Sequence, residues 1–358
     1  MTEELNTQNE SENTPIISQT PEPATISEDE RIWAAGIDLN ARVDVKPIFE
    51  AVDDIKSEIA KVVIGQDNTV EQMMAAILIG GHVLVEGLPG IAKTLTAKLL
   101  AKTIDTDFSR IQFTPDLMPT DVTGTSVFNL KESNFYFRKG PIFSNIILID
   151  EINRSPAKTQ AALMEVMEEK QITYDGTTYP MGFPFFVVAT QNPIEQEGTY
   201  SLPEAQLDRF VFRIKLNYPN LEQEFSIIER FHSNFDARNT TEVAKVISPE
   251  KLASFKKLIE KVYIRPELLR YIAAVIDNTR NNPDLFMGAS PRASLGIVQT
   301  AKAMAAISGR DFVTPDDIRT VSTPVLNHRL ILSHEREMEG VTIEEVIDSI
   351  VKTVEVPR

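Results

Sequence analysis

Apolar residues in this chain recur with two different periods. From Val45 onward, Phe49, Val52, Ile55, Ile59 and Val62 follow three- and four-residue spacing. That spacing predicts an amphipathic helix ending at Ile64-Gly65-Gln66, with Gly65 as a left-handed cap. Val70, Met73, Met74, Ile77 and Leu78 predict a second helix, broken at Gly80-Gly81. Short apolar runs at Val83–Val85, Ile146–Ile149 and Phe185–Ala189, the alternating stretch Phe108–Phe113, and Val211–Leu216 read as strands. Helical segments lie between them. One is opened by Ser155-Pro156 and carries Ala162, Leu163, Val166 and Met167 inward; a short one covers Pro203–Phe210. Two hairpins interrupt the order: Ser126–Leu130 with Phe135–Arg138, and Gln171–Tyr174 with Thr177–Pro180 around Asp175-Gly176. Beyond Pro219 the pattern is helical throughout. Helices start at Ser248-Pro249, Pro266, Pro291 and Thr314-Pro315, and Thr342-x-x-Glu345 is a capping box for the last one.

Strands alternating with helices predict an α/β fold, a parallel sheet with right-handed crossovers and ligands at the carboxyl ends of its strands. The helical remainder behind it predicts a small lid domain. The expected division is a tail over 1–42, an αβα domain with two inserted hairpins over 43–219, a linker and first lid helix over 220–247, and the lid over 248–358. The tail has no Lys or Arg before Arg31 and too little apolar area to offset its chain entropy, so it is expected to be disordered.

Composition narrows the function classes. A formal net charge of −16 disfavours nucleic acid as a partner, because phosphate contacts need basic surface. There is no cysteine, which removes disulfides and thiolate metal sites. His82, His232, His328 and His334 are scattered, without the spacing of a zinc site. No apolar run has the length of a transmembrane helix and no signal-peptide core opens the chain, so a cytoplasmic protein is expected.

The chemistry lies at the ends of two strands. After Val83–Val85, Gly87, Pro89 and Gly90 force a loop, and Lys93-Thr94 open a helix. Alone, this context favours a phosphate-binding loop over an ordinary strand–turn–helix, with Ala92 where the general pattern has its second Gly. Backbone N–H groups over 87–95 would cradle an anion at a helix N-terminus, Lys93 would reach β- and γ-phosphates, and Thr94 would hold Mg²⁺. The second stretch decides between the readings. Ile146–Ile149 ends in Asp150 and Glu151, a carboxylate for Mg²⁺ and one to polarise an attacking water. Together the two stretches read as ATP hydrolysis. Asn192, at the tip of the strand at Phe185, is either a turn former or a group that orients the lytic water.

The stretches GLPGIAKT (87–94), IDEINRSPAKTQAALMEVMEE (149–169), ATQNPIEQEGTYSLPEAQLDRF (189–210) and GASPRAS (288–294) resemble the MoxR branch of the AAA+ ATPases, from about Val45 to the C-terminus. In that branch Ala92 is usual, and the two hairpins match. The resemblance implies nucleotide contacts from Gly87, Leu88, Pro89, Gly90, Ile91, Ala92, Lys93, Thr94 and Leu95, with Ile64 and Gly65 against the adenine. It implies Asn192 as first sensor, Arg209 as an arginine finger reaching a neighbouring subunit's ATP, and Arg292 as second sensor, in cis or in trans. It further implies a six-membered ring of identical chains that acts as a chaperone-like motor on protein complexes, often with a partner carrying a von Willebrand factor A domain. Two alternatives stand beside it: an ATP-gated binding module with little turnover, and a nucleic-acid motor whose first hairpin presents Lys131, Arg138 and Lys139 to a pore.

Overall fold

The structure is a computed structural model that describes residues 42–88, 90–192, 200–232 and 241–356. The expected tail over 1–42 lies outside these residues apart from Arg42, as does Pro89. The αβ portion contains Lys46–Ala60 (α1), Asp67–Ile79 (α2), Val83–Glu86 (β1), Lys93–Thr103 (α3), Phe108–Gln112 (β2), Pro119–Thr123 (α4), Gly124–Asn129 (β3) and Asn134–Lys139 (β4). It continues with Ile146–Asp150 (β5), Ala157–Glu169 (α5), Gln171–Tyr174 (β6), Thr177–Pro180 (β7), Phe186–Gln191 (β8), Glu204–Leu207 (α6) and Phe212–Lys215 (β9). Five strands form one sheet in the order β2-β5-β8-β1-β9, with every neighbouring pair parallel.

The three central strands, β5, β8 and β1, read as continuous apolar runs because both faces of the sheet are covered there, while the edge strands β2 and β9 are interrupted by polar residues. Val83, Val85, Ile146, Leu148, Phe186 and Val188 face a core shared with α1, α2 and α3. The alternate residues, Leu84, Ile147, Ile149, Val187 and Ala189, face a second core with Leu163, Met164 and Phe210. Register aligns the chemistry-bearing ends: Glu86 lies opposite Gln191, and Gln112 opposite Asp150. The hairpins β3–β4 and β6–β7 form where expected. In the second, Asp175 and Gly176 both have positive φ, 49° and 75°, the geometry of a type I′ turn.

The remainder comprises Leu221–His232 (α7), Pro249–Glu260 (α8), Pro266–Asn281 (α9), Leu285–Met287 (β10), Pro291–Ile307 (α10), Pro315–Leu326 (α11), Ile331–Leu332 (β11), His334–Met338 (α12) and Ile343–Thr353 (α13). Its buried side chains, Ile297, Ala301, Val321 and Ile347 among them, belong to the same core as one face of the sheet, so the helical part is welded to the sheet domain. The capping box at Thr342 and Glu345 is formed, and Thr314 with Asp317 makes another. Among the described residues no helix is long and apolar enough to cross a membrane.

Three expectations are corrected. The helical reading after Pro219 misses the antiparallel ribbon β10–β11, whose two short strands lie too far apart in sequence to leave a local signature. Gly65 does not cap α1, which ends at Ala60; its φ of +78° serves the connection to α2, where the chain turns against Gln223. Pro156 is the N-cap of α5 rather than its first helical residue.

Candidate active site

The loop after β1 is built for an anion. A Cβ on Gly87 would collide with Ile91 and press on Leu216, so packing demands glycine there. Gly90 is different: a Cβ would meet nothing within 4 Å, and its φ of +89° is what excludes other residues. Ala92 stands at φ 61°, a left-handed conformation costing an L-residue about 1–2 kcal/mol, which is why the general pattern favours Gly. Ala92 is the N-cap of α3, and that eleven-residue helix has no side-chain cap and no acidic residue in its first turn. No acidic side chain in that first turn offsets the positive pole of the helix dipole. Lys93 Nζ donates to the Gly87 carbonyl at 2.6 Å, arching over the loop.

Gln66, which the sequence marks only as part of a turn, staples this loop. Its Nε2 donates to the Ile91 carbonyl at 2.7 Å, and its Oε1 accepts from the Thr96 hydroxyl at 2.7 Å. Ile64 and Gly65 precede it, and Gly65 lies against the Gln223 side chain of α7.

At the end of β5, Asp150 is buried and doubly held. Arg110 Nε pairs with its Oδ2 at 2.6 Å, and the Thr190 hydroxyl donates to its Oδ1 at 3.1 Å. Glu151 adopts φ 58°, which turns the chain out of the sheet. Its carboxylate accepts from Gln112 Nε2 at 2.7 Å and pairs with Arg154 Nε at 3.0 Å. Asn192 follows the last residue of β8, the strand between β5 and β1, so it stands at the same sheet edge. The loop, Asp150, Glu151 and Asn192 are therefore gathered at the carboxyl ends of adjacent strands.

The donor set fits a nucleotide with a hard divalent cation. The Thr94 hydroxyl and the Asp150 carboxylate are oxygen donors, and among the described residues no three His, Asp or Glu side chains form a metal cage. A cation completed by phosphate and water, as Mg²⁺ is, needs none.

Arg209 and Arg292 are elsewhere. Arg209 Nη2 binds Glu168 Oε2 at 2.6 Å and Arg292 Nη2 binds Glu168 Oε1 at 2.7 Å, so one carboxylate at the end of α5 receives both guanidinium groups. The Arg209 hydrogen bond and charge, then those of Arg292, hold the Glu168 carboxyl below its usual range. Val211 N–H donates to the His82 carbonyl at 2.8 Å, which fixes this segment at the start of β1. A cleft of about 260 Å³ there is lined by Gly80, Gly81, Arg209, Arg292 and Leu295. The phosphate loop begins at the other end of β1, roughly 13 Å away for four residues at ~3.3 Å each. Sequence reasoning gives no signal for Glu168, whose role depends on where two distant arginines arrive.

Residues 82–212 match the family described as ATPase family associated with various cellular activities (AAA), and residues 277–350 match the AAA lid domain. Fold and site thus define an AAA ATPase with its lid. An uncharacterized protein, YeaC of Bacillus subtilis, is 41% identical over 315 residues, spanning 88% of this chain and 96% of the relative. The chaperone MoxR1 of Mycobacterium tuberculosis is 42% identical over 310 residues, 84% of this chain and 81% of the relative. A crystal structure of a Cytophaga hutchinsonii protein assigned as an ATPase superposes with a TM-score of 0.81 at 44% identity, covering 88% of this chain and 97% of that one. The chain belongs to the MoxR branch of the AAA+ ATPases.

Proposed function

We propose that this chain hydrolyses ATP in a closed ring of identical subunits, six by family resemblance, and uses turnover as a chaperone-like motor that matures or remodels protein complexes. The loop amides over 87–95 and the α3 N-terminus would bind the phosphates, with Lys93 neutralising charge on the β–γ side. Thr94 and Asp150 would hold Mg²⁺, which when bound offsets phosphate charge. Glu151 would draw the proton from the attacking water, and Asn192 would orient that water. Arg209 and Arg292 would act in trans on the ATP of a neighbour. The chaperone name of MoxR1 supports the remodelling role.

The observation that carries this reading is the meeting of Arg209 and Arg292 on Glu168, one strand length from the phosphate loop of their own chain. A finger held there serves a second copy, and a single chain's site is incomplete without one. The test is ATPase rate per subunit against protein concentration, with Arg209→Ala alongside. Specific activity is expected to rise with concentration, while the variant stays about 10³-fold or more lower. Constant activity per subunit, insensitive to Arg209, would reject the reading.

A second reading, an ATP-gated binding module, draws on the engagement of the Glu151 carboxylate by Gln112 and Arg154. Survival of bound ATP for hours in assembled, partner-loaded protein would favour it.

A further inference from the structure

Arg329 follows α11 in the lid, and its side chain is 5% exposed. Its Nε donates to Asp208 Oδ1 at 2.6 Å, and its Nη2 to the carbonyls of Asp208 at 3.2 Å and Phe210 at 2.7 Å. Its Nη1 donates to the Val211 carbonyl at 3.4 Å and to the Val325 carbonyl. All five donors of the guanidinium are used. Four of them go to residues 208, 210 and 211, which flank Arg209.

Other lid groups grip the same segment. Ser290, the N-cap of α10 and two residues before Arg292, donates from Oγ to Asp208 Oδ2 at 3.2 Å. His328 Nε2 lies 2.9 Å from the Phe210 carbonyl. Near the start of β9, Asn327 Nδ2 donates to the Arg213 carbonyl at 3.1 Å, and Arg213 Nη1 returns a bond to the Asn327 carbonyl at 3.1 Å. Arg213 also pairs with Glu86 at 2.7 Å, the residue before the phosphate loop, and Glu86 accepts from Gln191, the residue before Asn192. Three consecutive lid residues thus hold the segment that runs from Asp208 into the start of β9.

A buried ion pair is a poor way to gain stability, since apolar residues of similar volume often do as well or better. What a saturated guanidinium supplies is a fixed geometry for the groups it binds. We infer that Arg329 is a positioning residue for Arg209: it locks the backbone on both sides of the finger to the lid, so that lid position sets where the finger is presented to the next subunit. The inference rests on the reading of Arg209 as a finger acting in trans.

The test uses full-length Arg329→Lys, which keeps the charge but not the fork, assayed alone and mixed with excess Lys93→Ala subunits. A Lys93→Ala subunit is impaired in its own phosphate site yet carries an intact finger. Alone, Arg329→Lys should lose about 10²-fold in kcat with KM for ATP little changed, because only the neighbour's chemistry is mispositioned. In the mixture its sites should recover, as those of Arg209→Ala should in a parallel mixture. A kcat within about twofold of wild type, or a raised KM at unchanged kcat, would overturn the inference. So would failure of Arg329→Lys to recover where Arg209→Ala does, since that marks general damage to the subunit. Failure of both mixtures would instead overturn the trans reading of Arg209, and this inference with it. Should Arg329→Lys not fold, Asp208→Asn, which keeps one acceptor oxygen but removes the charge that pairs with Arg329, is judged by the same outcomes.

Discussion

Thr190 Oγ1 donates to Asp150 Oδ1 at 3.1 Å while accepting the backbone N–H of Glu151 at 3.1 Å. A single hydroxyl on β8 therefore orients both acidic residues at the end of β5. Thr190→Val keeps the shape and removes the hydroxyl, leaving the Glu151 N–H without this acceptor at a cost of about 1–3 kcal/mol. Urea unfolding should show that loss, and steady-state kinetics a drop in kcat exceeding any change in KM. Unchanged kcat would mean that the acidic pair is oriented without Thr190.

Glu151→Gln should bind ATP with near-normal affinity and hydrolyse it about 10²–10⁴-fold more slowly. The Gln112 contact to the side-chain oxygen can persist in the amide, so the fold around the site is retained. Single-turnover measurement with labelled ATP checks this. Undiminished turnover removes Glu151 as the base.

Gly65→Ala should weaken nucleotide binding without slowing chemistry. Its φ of +78° costs an L-residue about 1–2 kcal/mol, and the added Cβ would lie 2.5 Å from Gln223 Nε2. Gln223 is a flexible side chain, so the double variant with Gln223→Ala relieves the clash but not the backbone strain. The expected pattern in nucleotide titrations is a raised Kd for Gly65→Ala that is only partly restored in the double variant.

Burial pushes the His82 imidazole from 6.5 down to about 4. Its Nδ1 accepts from Val187 N–H at 3.1 Å and its Nε2 lies 3.2 Å from the Met167 carbonyl, so the neutral ring is the one that fits. Because the folded pKa is depressed, the unfolded chain takes up this proton first. Stability is therefore full above about pH 6.5 and is lost as pH falls toward 4, by ~3 kcal/mol in total at 1.36 kcal/mol per unit. His82→Gln should be less stable than wild type at pH 7.5, and the gap should narrow at pH 5 in denaturant titrations. A gap independent of pH would contradict the buried neutral ring.

Much of this was legible beforehand where the signal was local. The central strands declared themselves as apolar runs because helices cover both faces of the sheet, and Asp175-Gly176 specified its own turn. The glycine loop is equally local: Gly87, Gly90, Lys93 and Thr94 lie within eight consecutive residues. Gly65 does not cap α1, since a positive φ can end a helix or turn a loop and the sequence does not say which. Gln66, Thr190, Glu168 and Arg329 were not found at all, because each acts on residues tens of positions away.

The sequence by itself determined most element types, the parallel αβ order and which local stretches carry the candidate chemistry, all properties of local conformational preference and of spacing within one segment. The tertiary structure alone decided which distant groups meet. It put Arg209 and Arg292 on Glu168 at one end of β1 and the phosphate loop at the other, and it buried Arg329 among the carbonyls beside Arg209. Side-chain pairing across the fold depends on strand order and helix docking, and these are settled by burial of the two cores rather than by any short run of residues.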